Sequence, residues 1–173
     1  MGDEAAMLID AATTALSGGK RFRASFCYWG WRAIVDARSG VRTPPAPSEE
    51  TAIITVASAL EIFQSAALVH DDIIDNSDTR RGLPASHRAL ETSHGVRGWA
   101  GDGAAFGRAG ALLLGDLLVA WSDDLLEDGL EEVGDAAARR TRREYASMRR
   151  DVTLGQFLDI PEESAFAVSP GAE

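Results

Sequence analysis

A cluster of acidic side chains is the part of this sequence best suited to chemistry. The stretch LVHDDIIDNSDTRRG, residues 68–82, contains Asp71, Asp72 and Asp75. On a helix, Asp71 and Asp75 are four residues apart and share a face, whereas Asp72 is turned by about 100°. Two carboxylates on one face repel each other unless a cation lies between them. This spacing therefore indicates a cation site.

The residues that follow the acids indicate which kind of ligand the cation would bind. Hard oxygen ligands with an incomplete shell suit Mg²⁺, which completes its octahedron with water and substrate phosphate oxygens. Arg80 and Arg81 come shortly after the acids, and guanidinium groups match phosphate oxygens in a bidentate way. Acids beside arginines predict a diphosphate site. The alternative is a solvated acidic helix end that the arginines neutralise, although aspartates there oppose the helix dipole.

A second basic element precedes the acids by about fifty residues. In SGGKRFRAS, residues 17–25, Gly18 and Gly19 are predicted to open a helix whose free N–H groups attract anions. Lys20 and Arg23 are three residues apart and would share a face of that helix. Lys20 is also the only lysine among 17 Lys and Arg residues. The stretch lacks the first glycine and the Ser or Thr of a Walker A loop, so a purely structural role remains the alternative.

Composition limits the class of protein. The chain has 173 residues, 45% of them hydrophobic, and a net charge of −10, which makes bulk binding to nucleic acid unfavourable. Cys27 is the only cysteine, so no internal disulfide can form. The N-terminal MGDEAAMLID carries acids where a secretory signal carries bases. We expect a cytoplasmic protein with one domain over residues 1–173.

Hydrophobic periodicity predicts an all-α protein, because alternating β-branched runs are missing from the sequence. The predicted helices are residues 4–15, 21–38, 49–75, 108–127 and 131–158. Ser48 is predicted to cap the third helix, with Glu49 and Glu50 in its first turn. The glycine-rich stretch SHGVRGWAGDGAAFG is predicted to be a loop.

The uncharged run TAIITVASALEIFQSAALVH, residues 51–70, has the length of a membrane span. Glu61 interrupts it, Gln64 follows, and two aspartates end it. Charged residues are costly inside a bilayer. We therefore predict a helix buried among other helices and no membrane span.

Four motifs in order carry a family resemblance. GGKRFR, LVHDDIIDNSDTRRG, LLGDLL and GQFLD resemble the motifs of trans-isoprenyl diphosphate synthases (polyprenyl synthetases), and the resemblance covers roughly residues 17–160. It implies an all-α helical bundle around a central cavity, incomplete at its C-terminus, and a homodimer. The implied activity is Mg²⁺-dependent condensation of isopentenyl diphosphate with an allylic diphosphate, giving a longer polyprenyl diphosphate.

The resemblance also implies residue roles. Asp71 and Asp75 would hold Mg²⁺ against the allylic diphosphate, with Asp72 in support and Arg80 on the same diphosphate. Gln156 and Asp159 would line the cavity near the metal. The residues implied for binding isopentenyl diphosphate are Gly19, Lys20, Arg23, Gln64 and Arg81.

Helix geometry suggests what sets product length. A tail growing back from Asp71 would pass Ala67 and Ala66, which are small, before reaching Phe63 two turns away. Phe63 would then act as a floor and give a geranylgeranyl-type product. The alternative is that Phe63 packs into the core.

The sequence departs from the family pattern in one respect. The family's second aspartate-rich motif, preceded by a Lys-Thr pair, is missing. The stretch SDDLLED at 122–128 resembles that motif but comes before GQFLD, whereas the family motif follows it. We predict that SDDLLED is a solvated helix end. The chain stops at VSPGAE, residues 168–173, so a truncated inactive fragment, a short homologue and a non-catalytic partner subunit all remain open. A phosphohydrolase of the His-Asp type is disfavoured because no histidine precedes His70.

Three further features are predicted to be structural. The basic stretch AAARRTRREYASMRRD, residues 136–151, is expected to be a solvated or subunit-facing surface. His87 and His94 are expected to be loop or core residues rather than metal ligands.

Overall fold

A computed structural model describes residues 2–40 and 44–166. These residues fall into two compact units, with the division between Glu132 and Val133. The helices of the first unit are α1 (Asp3–Leu16), α2 (Phe22–Ser39), α3 (Pro47–Ile74), α4 (Ser86–Val96) and α5 (Gly103–Leu130). The second unit contains α6 (Asp135–Phe166). The all-α class is confirmed, and the prediction of one domain stays a prediction. The stretch VSPGAE lies outside the described residues.

The core of the first unit lies where α3 packs against α5 and α1. Its buried cluster includes Ala66 and Val69 of α3, Leu114 and Leu118 of α5, and Ala12 of α1. The later part of the apolar run of α3, at Ala66 and Val69, therefore packs against other helices. Burial of these apolar side chains contributes roughly 1.5–3 kcal/mol for each large one.

A short hairpin and α4 join α3 to α5. Strands β1 (Thr79–Arg80) and β2 (Leu83–Pro84) pair antiparallel, with Arg80 opposite Leu83. The two residues between them, Arg81 and Gly82, both have positive φ, 55° and 79°, which is the geometry of a type I′ hairpin turn. The sequence predicted neither the hairpin nor α4. The glycine-rich stretch predicted as a loop is instead split between the end of α4, a short loop and the start of α5.

Two helix starts differ from prediction. Helix α3 is capped by Ala46, whose N–H donates to Glu49 Oε2 at 3.1 Å, so Ser48 lies inside the helix and is not the N-cap. The Glu49 carboxylate thus accepts from the backbone of the N-cap residue, as the N3 glutamate of a capping box does. Helix α2 begins at Phe22 rather than at the glycine pair. Lys20 therefore lies before the helix, and the predicted shared helical face with Arg23 is wrong.

Helices α3 and α5 are each 28 residues long, and both are apolar enough to cross a membrane by length and composition. The core helix of a globular protein meets the same criterion. Because the two helices pack on each other through buried residues of the core, we keep the prediction that neither spans a membrane.

The second unit is described by α6 alone. Arg149 stacks over the ring of Tyr145, with 5.0 Å from the guanidinium carbon to the ring centroid. The basic stretch 136–151 is helical throughout, and most of its arginines are exposed, so the predicted surface role fits. Helix α6 continues past the predicted end at 158 and includes Pro161.

His87 is buried in the first unit. It is 2% exposed, and neither ring nitrogen has a partner among the described residues. Burial, helped by the neighbouring charge of Arg88, lowers the pKa of His87 below its ordinary value. His94 is also buried, and its Nε2 lies 3.3 Å from the Ala100 carbonyl oxygen. The prediction that both histidines are loop or core residues is consistent with this placement.

This burial predicts how stability depends on pH. Below the ordinary histidine pKa of about 6.5, the unfolded chain gains a proton that the folded chain resists, so the free energy of unfolding falls as pH is lowered. We expect the melting temperature to drop between pH 7.5 and 5.5, and the drop to be smaller in His87→Leu. Calorimetric melting of both proteins at pH 7.5 and at pH 5.5 checks this. Equal drops in the two proteins would contradict it.

Candidate diphosphate-binding site

The acidic cluster lies at the C-terminal end of α3, where Arg80 binds two of its members. Arg80 Nε donates to Asp72 Oδ1 at 2.9 Å, and Arg80 Nη2 lies 2.5 Å from Asp72 Oδ1 and 3.2 Å from Asp71 Oδ2. These bonds, above all the one to Asp72, raise the pKa of Arg80. Asp75 is the exposed C-cap of the helix. The predicted neighbourhood of acids and arginine is therefore present.

Burial separates the roles of the neighbouring aspartates. The side chain of Asp72 is 4% exposed, whereas that of Asp71 is 26% exposed. A buried carboxylate needs a charged partner, and Arg80 supplies it. Arg80 thus neutralises Asp72, which is the alternative given above for the arginines. Asp71 and Asp75 remain accessible from solvent.

The loop that follows the acids is fixed by α4. Arg88 Nε donates to Asp78 Oδ1 at 2.9 Å, and its Nη2 donates to Asn76 Oδ1 at 3.2 Å. Asn76 has a positive φ of 50°, a conformation that a short polar residue tolerates. The sequence did not predict this role of Arg88, because its partners lie ten and twelve residues away and no spacing pattern links them to it.

The basic loop after α1 contacts the hairpin directly. Arg81 Nη1 donates to the Ser17 carbonyl oxygen at 2.8 Å across 64 residues of sequence. Gly19 has φ +83°, and a Cβ at that position would lie 3.2 Å from Arg81 Nη2. The two motifs that the sequence predicted to act together therefore meet through Arg81. Lys20 and Arg23 are exposed beside this contact.

A cavity of about 400 Å³ opens at this meeting point. It is lined by α1, by the loop 17–19, by the hairpin, by the start of α4 and by one face of α3. Ser65, Leu68 and Val69 supply most of the α3 wall, and Asp72 ends it. The lining is mostly apolar, with Asp72, Arg80 and Arg81 as its charged members.

The residues predicted to set product length do not line this cavity. Ala66 is fully buried in the core cluster and Phe63 is 9% exposed. Helix α3 turns Ala66 toward the core cluster, and the prediction that it lines a tail passage stays a prediction. Ala67 is half-buried, and Phe63 fits the alternative of a packed core residue.

Three other predicted residues have less defined surroundings. Gln64 is half-buried on α3, seven residues before Asp71. Gln156 is half-buried and Asp159 is exposed on α6, in the second unit. The prediction that Gln156 and Asp159 line the cavity stays a prediction.

Gly19 offers a direct test of the contact between the two motifs. We expect Gly19→Ala to weaken binding of inorganic diphosphate, because the new Cβ pushes the Arg81 guanidinium away from the Ser17 carbonyl. Gly18→Ala is the matched control: Gly18 has a similar φ, +71°, but no described atom lies within 4 Å of its Cβ position. Calorimetric titration checks both variants, and equal losses would attribute the effect to backbone strain alone.

Comparison with known proteins gives a consistent family. A family model described as polyprenyl synthetase matches residues 5–171. The geranylfarnesyl diphosphate synthase of Natronomonas pharaonis is 30% identical over 156 residues, covering 86% of this chain and 39% of the relative. The geranylgeranyl diphosphate synthase of Mycobacterium tuberculosis is 32% identical over 150 residues, covering 87% of this chain and 34% of the relative.

A solved structure has the same fold. The geranylgeranyl pyrophosphate synthase from Corynebacterium glutamicum, crystallised in complex with isoprenyl diphosphate and magnesium, superposes with a TM-score of 0.82 at 36% identity. The match covers 95% of this chain and 44% of that one. The chain thus spans well under half the length of the relatives it matches.

Proposed function

Because this chain belongs to the polyprenyl synthetase family, we propose that it supplies the diphosphate-binding half of a trans-prenyltransferase. The reaction condenses isopentenyl diphosphate with an allylic diphosphate to a longer, geranylgeranyl-type product. The observation that carries the proposal is the contact of Arg81 with Ser17, which brings the basic loop beside the acidic cluster. The acidic cluster with Arg80 and the basic loop with Arg81 would then bind one diphosphate each beside the same cavity.

We propose that the acidic cluster binds Mg²⁺. Among residues 2–40 and 44–166, no group of three or more His, Cys, Asp or Glu side chains converges as a ready-made metal site. Asp71 and Asp72 nevertheless converge on one cationic group, Arg80 Nη2, at 3.2 and 2.5 Å, so the position accepts positive charge. Mg²⁺ needs only one or two protein carboxylates when phosphate oxygens complete its shell. Asp71 and Asp75 would hold it, and it would stabilise the charge on the diphosphate leaving group.

The protein groups supply the rest of the chemistry. Breaking the bond between an allylic carbon and diphosphate builds negative charge on the leaving oxygens, which Arg80 is placed to stabilise. The carbocation left behind needs apolar walls without water, and Leu68 and Val69 provide such walls beside Asp72. Lys20, Arg23 and Arg81 would orient the isopentenyl diphosphate.

The partners and location are proposals of the same kind. We propose that the protein is cytoplasmic, which its single cysteine supports, and that it has no nucleic-acid partner, which its net charge of −10 supports. We also propose a homodimer, as the family resemblance implies. A non-catalytic partner subunit is the second candidate, which the turnover experiment below distinguishes from the first.

Binding and turnover test the proposal separately. We expect the chain to bind an allylic diphosphate only with Mg²⁺ present, and to give no product with isopentenyl diphosphate, because the second aspartate-rich motif is missing from its sequence. Calorimetry measures the binding, and chromatography of dephosphorylated products measures turnover. Magnesium-independent binding, or none, would contradict the proposed site. Product from the chain alone would show the second motif to be dispensable and exclude the non-catalytic alternative.

A further inference from the structure

Glu61 is the only charged residue in the run Thr51–His70, and it contacts the start of α2. Its Oε1 accepts a hydrogen bond from the Ala24 N–H at 3.0 Å, and its Oε2 lies 3.7 Å from Arg21 Nη1. The side chain is 14% exposed. A carboxylate withdrawn this far from water is unfavourable unless hydrogen bonds and charges compensate it. Both compensating groups come from the basic loop and the helix that follows it.

The bond to Ala24 caps α2 from outside. The first N–H groups of a helix have no partner within it, and the N-cap residue, Arg21, makes no side-chain capping bond in the described structure. Ala24 is the third residue of α2, where an N-cap side chain ordinarily accepts. Glu61 replaces that side chain, and its charge also suits the positive end of the helix dipole.

The ion pair to Arg21 holds an unusual backbone. Arg21 has φ 51°, a left-handed conformation that residues with a Cβ avoid unless their surroundings enforce it. Its guanidinium is fixed from two sides, by the Leu16 carbonyl oxygen and by Glu61. This conformation sets the direction in which the chain leaves the loop. It therefore also sets the placement of Lys20, just before Arg21, and of Arg23, two residues after it.

We propose that Glu61 is a positioning residue that sets where Lys20 and Arg23 stand relative to the acidic cluster. Glu61 and Asp71 lie on the same helix, ten residues and about 15 Å apart along its axis. One rigid helix therefore holds the metal-binding acids at one end and anchors the basic loop further along. The inference rests on the proposed function, in which the loop binds isopentenyl diphosphate and the acids bind the allylic diphosphate.

Three variants separate this role from packing and from charge. Glu61→Ala removes both contacts, and Glu61→Gln keeps an acceptor for the Ala24 N–H while it removes the ion pair. The matched control is Glu50→Gln. Glu50 also joins α3 to α2, through its bond from Tyr28 Oη at 2.6 Å, but contacts α2 away from the basic loop.

Two measurements are made on each protein. Hydrogen exchange reports protection of the amides at the start of α2, and calorimetry reports affinity for isopentenyl diphosphate. We expect Glu61→Ala to speed exchange at Ala24 and to weaken affinity by about tenfold, comparable to the loss of a strong helix cap. Glu61→Gln should keep the protection and lose less affinity, and Glu50→Gln should match the wild type in both.

The sign of the affinity change is decisive. If Glu61 acted only through its charge, its removal would strengthen binding of an anion; a positioning role predicts weaker binding. Unchanged exchange at Ala24 in Glu61→Ala, stronger binding, or an equal loss in Glu50→Gln would each overturn the inference. A wild-type chain that binds no isopentenyl diphosphate would instead contradict the proposed function, and exchange at Ala24 would still decide whether Glu61 orders the start of α2.

Discussion

Replacing Asp71 and Asp75 together by asparagine should abolish Mg²⁺-dependent binding of an allylic diphosphate. The two residues are four apart, and both are reachable from solvent at the end of α3. Asparagine has nearly the same shape as aspartate but no charge. The double variant therefore loses both the mutual repulsion of the two carboxylates and their attraction for Mg²⁺. We expect affinity in the presence of Mg²⁺ to fall by about a hundredfold or more, equivalent to about 3 kcal/mol. Asp72 is left unchanged because it is buried against Arg80.

A second acidic pair provides the control for this experiment. Asp124 and Asp128 on α5 have the same four-residue spacing, and both are exposed. They belong to the stretch SDDLLED, which was predicted to be only a solvated helix end. Asp124→Asn with Asp128→Asn should therefore leave affinity unchanged. Calorimetry measures both double variants and circular dichroism checks that helicity is kept. Unchanged affinity after substitution of Asp71 and Asp75 would exclude the metal role.

The long helices were predictable because their apolar residues recur with helical periodicity. Helices α1, α3 and α5 lie within a few residues of their predicted positions, apart from the earlier start of α5. The site motifs were equally visible, since acids and arginines at fixed spacings have few other purposes. Helical periodicity and motif spacing are both properties of short contiguous stretches, so a single sequence is enough to detect them.

The contacts between motifs were not predictable, because they depend on how distant segments fold onto one another. The hairpin has only two residues per strand, too few for an alternating pattern, and its turn uses Arg81 at positive φ rather than the usual Asn. Glu61 was used only as an argument against a membrane span. Its isolation in an uncharged run was the signal that could have identified it as a buried, paired carboxylate.

The rotation of α3 about its own axis could likewise not be predicted from the sequence. Ala66 and Ala67 were both placed on a tail passage, although consecutive helical residues point about 100° apart. The structure turns Ala66 to the core and Ser65 and Leu68 to the cavity. Periodicity shows which residues of a helix are apolar, but in a helix that is apolar nearly all round it cannot show which face borders a cavity.

Gly107→Ala should be the most destabilising small substitution in the first unit. Gly107 is where α5 meets α4 most closely: an added Cβ would lie 2.3 Å from the His87 carbonyl oxygen and 3.0 Å from the Glu91 backbone nitrogen. These are backbone atoms, so a side-chain rotation cannot relieve the clash and the helices must separate. Overpacking of this kind costs about 1–3 kcal/mol, which lowers the melting temperature of a protein of this size by about 3–10 °C.

Gly30→Ala tests whether the effect comes from contact or from glycine chemistry. Gly30 is exposed within α2, and no described atom lies within 4 Å of its Cβ position. Alanine there should stabilise the protein by roughly 1 kcal/mol, because alanine is the better helix former. Calorimetric melting should thus show melting-temperature shifts of opposite sign for the same glycine-to-alanine change.

Because α4 carries Arg88, which fixes the loop after the acids, Gly107→Ala should also weaken Mg²⁺-dependent diphosphate binding. A Gly107→Ala protein that melts at or above the wild-type temperature would show that α4 and α5 do not approach this closely.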